Sequence, residues 1–223
     1  SPGFSTGEVV SPSSTIIKVT STGVPIITYQ DATTGAETRM WDGSSWVLMG
    51  TMLTGVDISF WMDLDPLTDE PVVCYRDATV SGRGSVQRWD GGTWNLVGGA
   101  GDLSAGSVGF IEIAVDGAGL PVVDFQDAGA GDSFVAVRWN GATWDPILTP
   151  GLSYGTAVAT RLTRDDLGAL FMGYIDEGIH GKPFLFEVLG TSSAIYGQAG
   201  FSDGHAGFPS MDLDPDGDPV VVY

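Results

Sequence analysis

The chain repeats itself, and that limits its folds more than any other feature. A linker of small and hydroxyl residues recurs as Gly3-Phe4-Ser5-Thr6-Gly7, Met52-Leu53-Thr54-Gly55, Leu103-Ser104-Ala105-Gly106, Gly151-Leu152-Ser153-Tyr154-Gly155 and Gly200-Phe201-Ser202-Asp203-Gly204. Its hydroxyl residues Ser5, Thr54, Ser104, Ser153 and Ser202 lie 49, 50, 49 and 49 positions apart. A period of that length marks an array of supersecondary units, each too small to bury its apolar faces alone.

Every linker opens the same succession. An alternating run follows, at Ile16–Val19, Ile58–Asp63, Phe110–Val115, Val158–Leu162 and Ser210–Leu213, and alternation over so few residues predicts a strand, a. A turn comes next, with Asp or Thr three positions before Gly: Thr20/Gly23, Asp116/Gly119, Asp165/Gly168 and Asp214/Gly217. An Asp cap and a Gly free to take positive φ suit a short hairpin. The second copy, Asp65-Pro66-Leu67-Thr68-Asp69, lacks that Gly.

Strand b follows at Pro25–Asp31, Pro71–Asp77, Pro121–Asp127, Leu170–Asp176 and Pro219–Tyr223. Its consecutive apolar residues predict burial on both faces. Strand c ends in Arg39-Met40-Trp41, Gln87-Arg88-Trp89 and Val137-Arg138-Trp139. Asp42-Gly43, Asp90-Gly91 or Asn140-Gly141 then turns the chain into strand d at Trp46, Trp94 or Trp144. The order is a-b-c-d four times and a-b once more, with Gly and Pro interrupting any helical period.

These units, with their Trp-Asp-Gly-x-x-Trp hairpins, resemble the blades of kelch-like and WD-repeat propellers. The resemblance implies an all-β propeller of four-stranded antiparallel blades, four complete and a fifth reduced to strands a and b. The expected units are roughly 8–50, 56–98, 107–149, 156–198 and 206–223 of one propeller domain. Propellers host hydrolases, lectins and scaffolds alike, so the likeness carries architecture and little chemistry. Stacked sheets need apolar residues on both faces, and the pairs Trp41/Trp46, Trp89/Trp94 and Trp139/Trp144 read as that packing. The fourth unit has Val188 and Ser193 there instead, which predicts its outer edge to be the weakest.

Nine Lys and Arg against 28 Asp and Glu give a net charge of −19. A field of that sign repels phosphate backbones and anionic membranes, so nucleic acid is not an expected partner. The lone cysteine, Cys74, forms no internal disulfide and reads as a small buried hydrophobe. No apolar run reaches the ~18 residues of a membrane span. The start at Ser1 fits a processed chain, and the expected location is secreted or cell-surface.

Carboxylates at alternate positions with a Gly among them, in Asp212-Leu213-Asp214-Pro215-Asp216-Gly217-Asp218, match the opening of a calcium loop. The segment also looks like the calcium loops of integrin-type blades, although Val220 stands where that family has a further Asp. Asp212, Asp214, Asp216 and Asp218 are therefore the candidate calcium ligands, and the alternative is a plain a–b turn. No other cofactor is expected. The hairpins are similar to the Asp-boxes of sialidase-like propellers, which are themselves structural. Asp31, Asp77, Asp127 and Asp176 recur once per unit and read as turn caps rather than catalysts. The sequence holds no catalytic residues, no Cys/His zinc spacing and no phosphate loop, and Ser202, Asp203 and His205 lie too close in one loop to relay a proton.

These features predict a non-enzymatic binding or scaffolding module that recognises a protein or glycan through loops. One alternative is a subunit that self-associates by completing the half unit at Pro219–Tyr223, whose open edge invites pairing. The other is a glycoside hydrolase or lyase with its acids at the central funnel.

Overall fold

The computed structural model describes residues 5, 7–10, 15–50, 56–147, 153–207 and 210–223, with side chains in the strand at 56–64 from residue 59 onward. Of the expected linkers, Gly3, Phe4, Thr6, Met52–Gly55, Gly151 and Leu152 lie outside the described residues. The first blade is β1 (Thr15–Val19), β2 (Pro25–Asp31), β3 (Gly35–Trp41) and β4 (Trp46–Leu48). The second is β5 (Val56–Leu64), β6 (Pro71–Asp77), β7 (Arg83–Trp89) and β8 (Trp94–Leu96). The third is β9 (Val108–Val115), β10 (Pro121–Asp127), β11 (Ser133–Trp139) and β12 (Trp144–Pro146). The fourth is β13 (Ala157–Arg164), β14 (Leu170–Asp176), β15 (Lys182–Leu189) and β16 (Ser192–Ile195), and β17 (Ser210–Leu213) pairs with β18 (Pro219–Val222). Each sheet is antiparallel and keeps chain order across its width, which makes a β-propeller of four complete blades and one half blade.

The second strand of each blade is the most deeply buried, as its double apolar pattern requires; β6 and β10 share one burial profile, with Arg76 and Gln126 the only residues not fully buried. Apolar clusters fill the spaces between sheets. Met62, Val73 and Tyr75 of the second blade meet Ile16 and Ile26 of the first. Val123 and Phe125 of the third meet Val72, Cys74 and Val86 of the second. Phe134 and Ala136 of the third meet Met172, Tyr174 and Phe184 of the fourth, with Phe134 stacked on Tyr174 at 4.4 Å. Large apolar side chains stacked this way supply most of the driving force, roughly 1.5–3 kcal/mol for each one fully buried.

The recurrent acids act as caps. Asp77, Asp127 and Asp176 each accept the backbone N–H two residues on, opening a single 3₁₀ turn before the third strand. Asp127 also accepts the N–H groups of Ala105 and Gly106, so it ties its own blade's linker to its second strand. The linker hydroxyls face the preceding blade: Ser104 Oγ accepts from Gly84 N–H at 3.0 Å, and Ser153 Oγ from Phe134 N–H at 3.2 Å. Where the second a–b turn lacks its Gly, Asp69 takes the left-handed conformation at φ 60. The fourth blade keeps its outer hairpin without the Trp pair: β16 forms, and Tyr196 packs edge-on to Phe171 at 5.3 Å.

Candidate functional site

Adjacent blades do not close completely at their a–b turns, and the gap recurs down the array. Between the first two blades it measures about 360 Å³, walled by Thr20 and Thr22 on one side, Asp69 and Glu70 on the other, and Met40, Met49 and Trp89 outward. Between the second and third it is about 310 Å³, with Arg88, Leu96, Gly119 and Trp139. Between the third and fourth it narrows to about 190 Å³, lined by Asp116, Arg138, Gly168 and Val188. Between the fourth blade and the half blade it opens to about 490 Å³, where Arg164, Asp165 and Asp166 face Asp212, Asp214 and Asp216.

The walls follow from the repeat. The tryptophan ending the third strand of one blade leans on the preceding blade. Gly98 sits at φ 81, where an added Cβ would lie 3.3 Å from Trp139 and 2.9 Å from Trp144. Trp94 and Trp144 donate across the same interfaces, to the carbonyls of Met49 (2.6 Å) and Val97 (3.2 Å). Trp89 and Trp139 remain partly exposed on the cleft walls. The residue before each tryptophan sets the charge. Arg88 donates to Asp65 Oδ2 at 2.7 Å and to Gly119 O at 2.6 Å, and Arg138 donates to Asp116 and to Gly190 O. Each arginine thus neutralises its own blade's turn acid and bridges to the next blade.

The Asp212–Asp218 segment forms the a–b turn of the half blade. Asp214 Oδ1 accepts the N–H groups of Asp216 and Asp218, Asp212 Oδ1 accepts from Leu213 N–H, and Asp218 Oδ1 accepts from Tyr196 Oη. Among the described residues no three His, Cys, Asp or Glu side chains gather as a metal site requires. Asp212, Asp214 and Asp216 border the widest cleft, and Asp218 does not line it. Ser202 Oγ donates to Gly204 O, while His205 lies 3.4 Å from Glu177, so the loop holds no relay.

A buried polar centre lies apart from the clefts, inside the interface of the third and fourth blades. Glu112 and Asp124 are direct partners across β9 and β10, and are 4% and 0% exposed. Glu112 accepts from Arg161 Nη1 and from Leu162 N–H, both at 2.9 Å. Desolvation pushes its carboxyl up to about 7 despite the pull of Arg161, and pushes Asp124 well above the carboxylate range, helped by the charge of Glu112. Neither Asp124 oxygen accepts a hydrogen bond of good geometry; the Thr160 hydroxyl beside it donates to Phe110 O. Sequence reasoning missed this centre, although an Asp inside the doubly buried Pro121–Asp127 pattern was a signal. It also missed Arg88 and Arg138, which were read only as strand residues.

No family model matches the chain, and no curated protein matches it. Solved structures do. The SapL1 lectin in complex with α-methyl fucoside matches at 19% identity and a TM-score of 0.58, over 87% of this chain and 66% of that one. The Aleuria aurantia lectin in complex with Fucα1-6GlcNAc matches at 13% and 0.56, over 93% and 69%. A Penicillium chrysogenum α-L-arabinanase complexed with arabinobiose matches at 13% and 0.56, over 93% and 74%. At these identities the likeness establishes the β-propeller fold and no kelch or WD-repeat membership. Among the described residues no helix is long and apolar enough to cross a membrane.

Proposed function

We propose that the chain is a non-enzymatic carbohydrate-binding propeller module whose sites are the clefts between blades. One observation carries this: a partly exposed tryptophan shares each of the first two clefts with charged side chains, Asp69 and Glu70 in the first and Arg88 in the second. An indole face takes the apolar C–H face of a sugar ring, while charged and carbonyl groups satisfy its hydroxyls. Several weak sites in one array gain avidity on a branched or surface-bound glycan. Two of the matched propellers are lectins in complex with fucosides, which supports the reading. Glycans displayed outside cells are the fitting partner, consistent with a secreted or cell-surface location.

The buried carboxyl pair and the arabinanase match favour a second reading, a glycoside hydrolase. Glu112 and Asp124 lie inside a sheet interface at 4% and 0% exposure, where no sugar can reach, and this weighs for binding over catalysis.

A broad glycan array followed by tryptophan-fluorescence titration tests the proposal. Trp89→Leu and Trp139→Leu should each weaken binding about tenfold, the scale of ~1.4 kcal/mol, with the melting transition kept. An array without a binder, or titrations indifferent to both variants, would sink it. Turnover of arabinan oligosaccharides that disappears in Glu112→Gln would establish the hydrolase instead.

A further inference from the structure

We infer that the cleft between the first two blades selects a protonated amino sugar, a preference that rests on the carbohydrate-binding reading above. The second and third clefts supply the contrast. In the second and third blades a turn acid (Asp65, Asp116) is neutralised by the arginine before the tryptophan (Arg88, Arg138). The first blade lacks both partners: Thr20 replaces the acid and Met40 the arginine. Among the described residues no cation lines its cleft. Lys18, the nearest basic residue along that strand, is 3.3 Å from Asp63 and belongs to another contact.

The charge that remains is negative and comes from the opposite wall. Asp69 accepts from Ser21 N–H at 2.8 Å and Ser21 Oγ at 2.6 Å, so the turns of the two blades are latched together. Glu70 is partly buried; its N–H donates to Thr68 Oγ1 and its carbonyl accepts from Asp65 N–H, while its carboxylate makes no hydrogen bond or ion pair among the described residues. Its carboxylate lies near Gly91, at the hairpin that carries Trp89, with an oxygen 3.5 Å from where a Cβ there would sit. Met40, Met49 and Ile26 add apolar lining, which strengthens an ionic contact. A carboxylate beside an indole face suits an ammonium group, by ion pairing and by cation–π attraction. The field of −19 also concentrates cations around the protein. N-Acetylation of the same sugar removes the charge and leaves the ring unchanged, so Glu70 discriminates the two.

The test compares a glucosamine tetramer with an N-acetylglucosamine tetramer by calorimetric titration at low ionic strength. The wild-type chain should bind the amine about tenfold tighter. Glu70→Gln should shrink that ratio to about twofold. Asp203→Asn, an exposed remote site losing the same charge, should leave it intact, which separates the cleft from bulk attraction. Equal affinity for both tetramers, or a ratio that survives Glu70→Gln, overturns the inference while the glycan reading stands. A lysine-rich peptide that outcompetes the amine with the same Glu70 dependence overturns the sugar commitment. If neither these tetramers nor any array glycan binds, the carbohydrate reading itself fails.

Discussion

The second and third blades place very different chemistry at one point of the same register. Trp61 stands opposite Cys74 across β5 and β6, and Glu112 stands opposite Asp124 across β9 and β10. Each second-strand residue is three positions after the proline that opens its strand, and both are 0% exposed. In the second blade the site holds an indole and a thiol, and burial pushes the thiol well above its usual range. In the third it holds two carboxyls, one engaged by Arg161 and the other left without a good hydrogen bond. The repeat fixes which positions are buried and leaves their chemistry to whatever the next blade offers. The fourth blade offers Arg161 and the Leu162 N–H to Glu112; the third offers Cys74 the apolar Val123 and Phe125.

Removing that offer should have the largest effect. Arg161→Met strands Glu112 in the interface, and losing one partner of a buried ion pair costs about 3 kcal/mol or more. Denaturant melts should show the loss at pH 8. At pH 5 it should shrink, because Glu112 can then take up a proton. A loss under about 1 kcal/mol at pH 8 would mean that the arginine, partly exposed at 32%, leaves Glu112 adequately solvated.

Acidity separates the two blades next. Glu112 is held near 7 and Asp124 well above its ordinary value, so the folded chain keeps protons that the unfolded chain releases. The stabilisation is therefore full below the ordinary carboxylate range, and Glu112's share of it is lost as pH rises through about 7. Arg161 and Thr160 of the fourth blade, Lys18 of the first and Cys74 of the second are the groups that act on the pair. Relief of the overall negative charge at low pH has the same sign. The combined Glu112→Gln, Asp124→Asn variant isolates the local part: its stability should change less between pH 5 and 8.5 than the wild type's. Equal slopes would show the pair ionised in the folded state.

Legibility in the sequence divides along the same line. What one repeat determines by itself could be read. The a–b turns show it, with Asp116 accepting Ala118 and Leu120 N–H and Gly119 at φ 77. So do the caps Asp77, Asp127 and Asp176, and the buried strand ends such as Trp94, which is 6% exposed. What arises between repeats could not. Glu112 and Arg161 are 49 residues apart and meet only because β9 and β13 stack. The clefts are bounded by residues of two neighbouring blades and arise only when the blades stack. The Asp212–Asp218 spacing fits both a calcium loop and an a–b turn because the two share their first residues, and the bonds from Asp216 and Asp218 N–H to Asp214 Oδ1 belong to the turn. The fourth blade's outer edge was expected to weaken without its Trp pair. Tyr196, just beyond β16, supplies a different aromatic contact, on Phe171, which the repeat alignment could not reveal.

Replacing the whole polar centre should be milder than breaking it. Glu112→Leu, Asp124→Val and Arg161→Met together turn the third blade's pair into an apolar one like the second's. Buried ion pairs exchanged for apolar groups of similar volume are often neutral or stabilising by about 1–4 kcal/mol. The triple variant should therefore melt at or above the wild type and lose the local pH dependence. A lower midpoint would show that the carboxyls set the stacking of the third and fourth blades more than they burden it.

The smallest effect belongs to the apolar member of the comparison. Cys74→Val adds about one methyl's volume to a site already enclosed by Val72, Val86, Val123 and Phe125. Overpacking of that kind costs about 1 kcal/mol, and no partner is stranded because the thiol's burial, not an ion pair, dominates its environment. The same burial should keep Cys74 unmodified by a thiol reagent until the chain is denatured, since only the thiolate reacts. If Cys74→Val instead destabilises as much as Arg161→Met, then the second blade's interface is as finely set as the third's. The contrast between a tolerant apolar pair and an exacting polar one would then lie in packing shape rather than in charge.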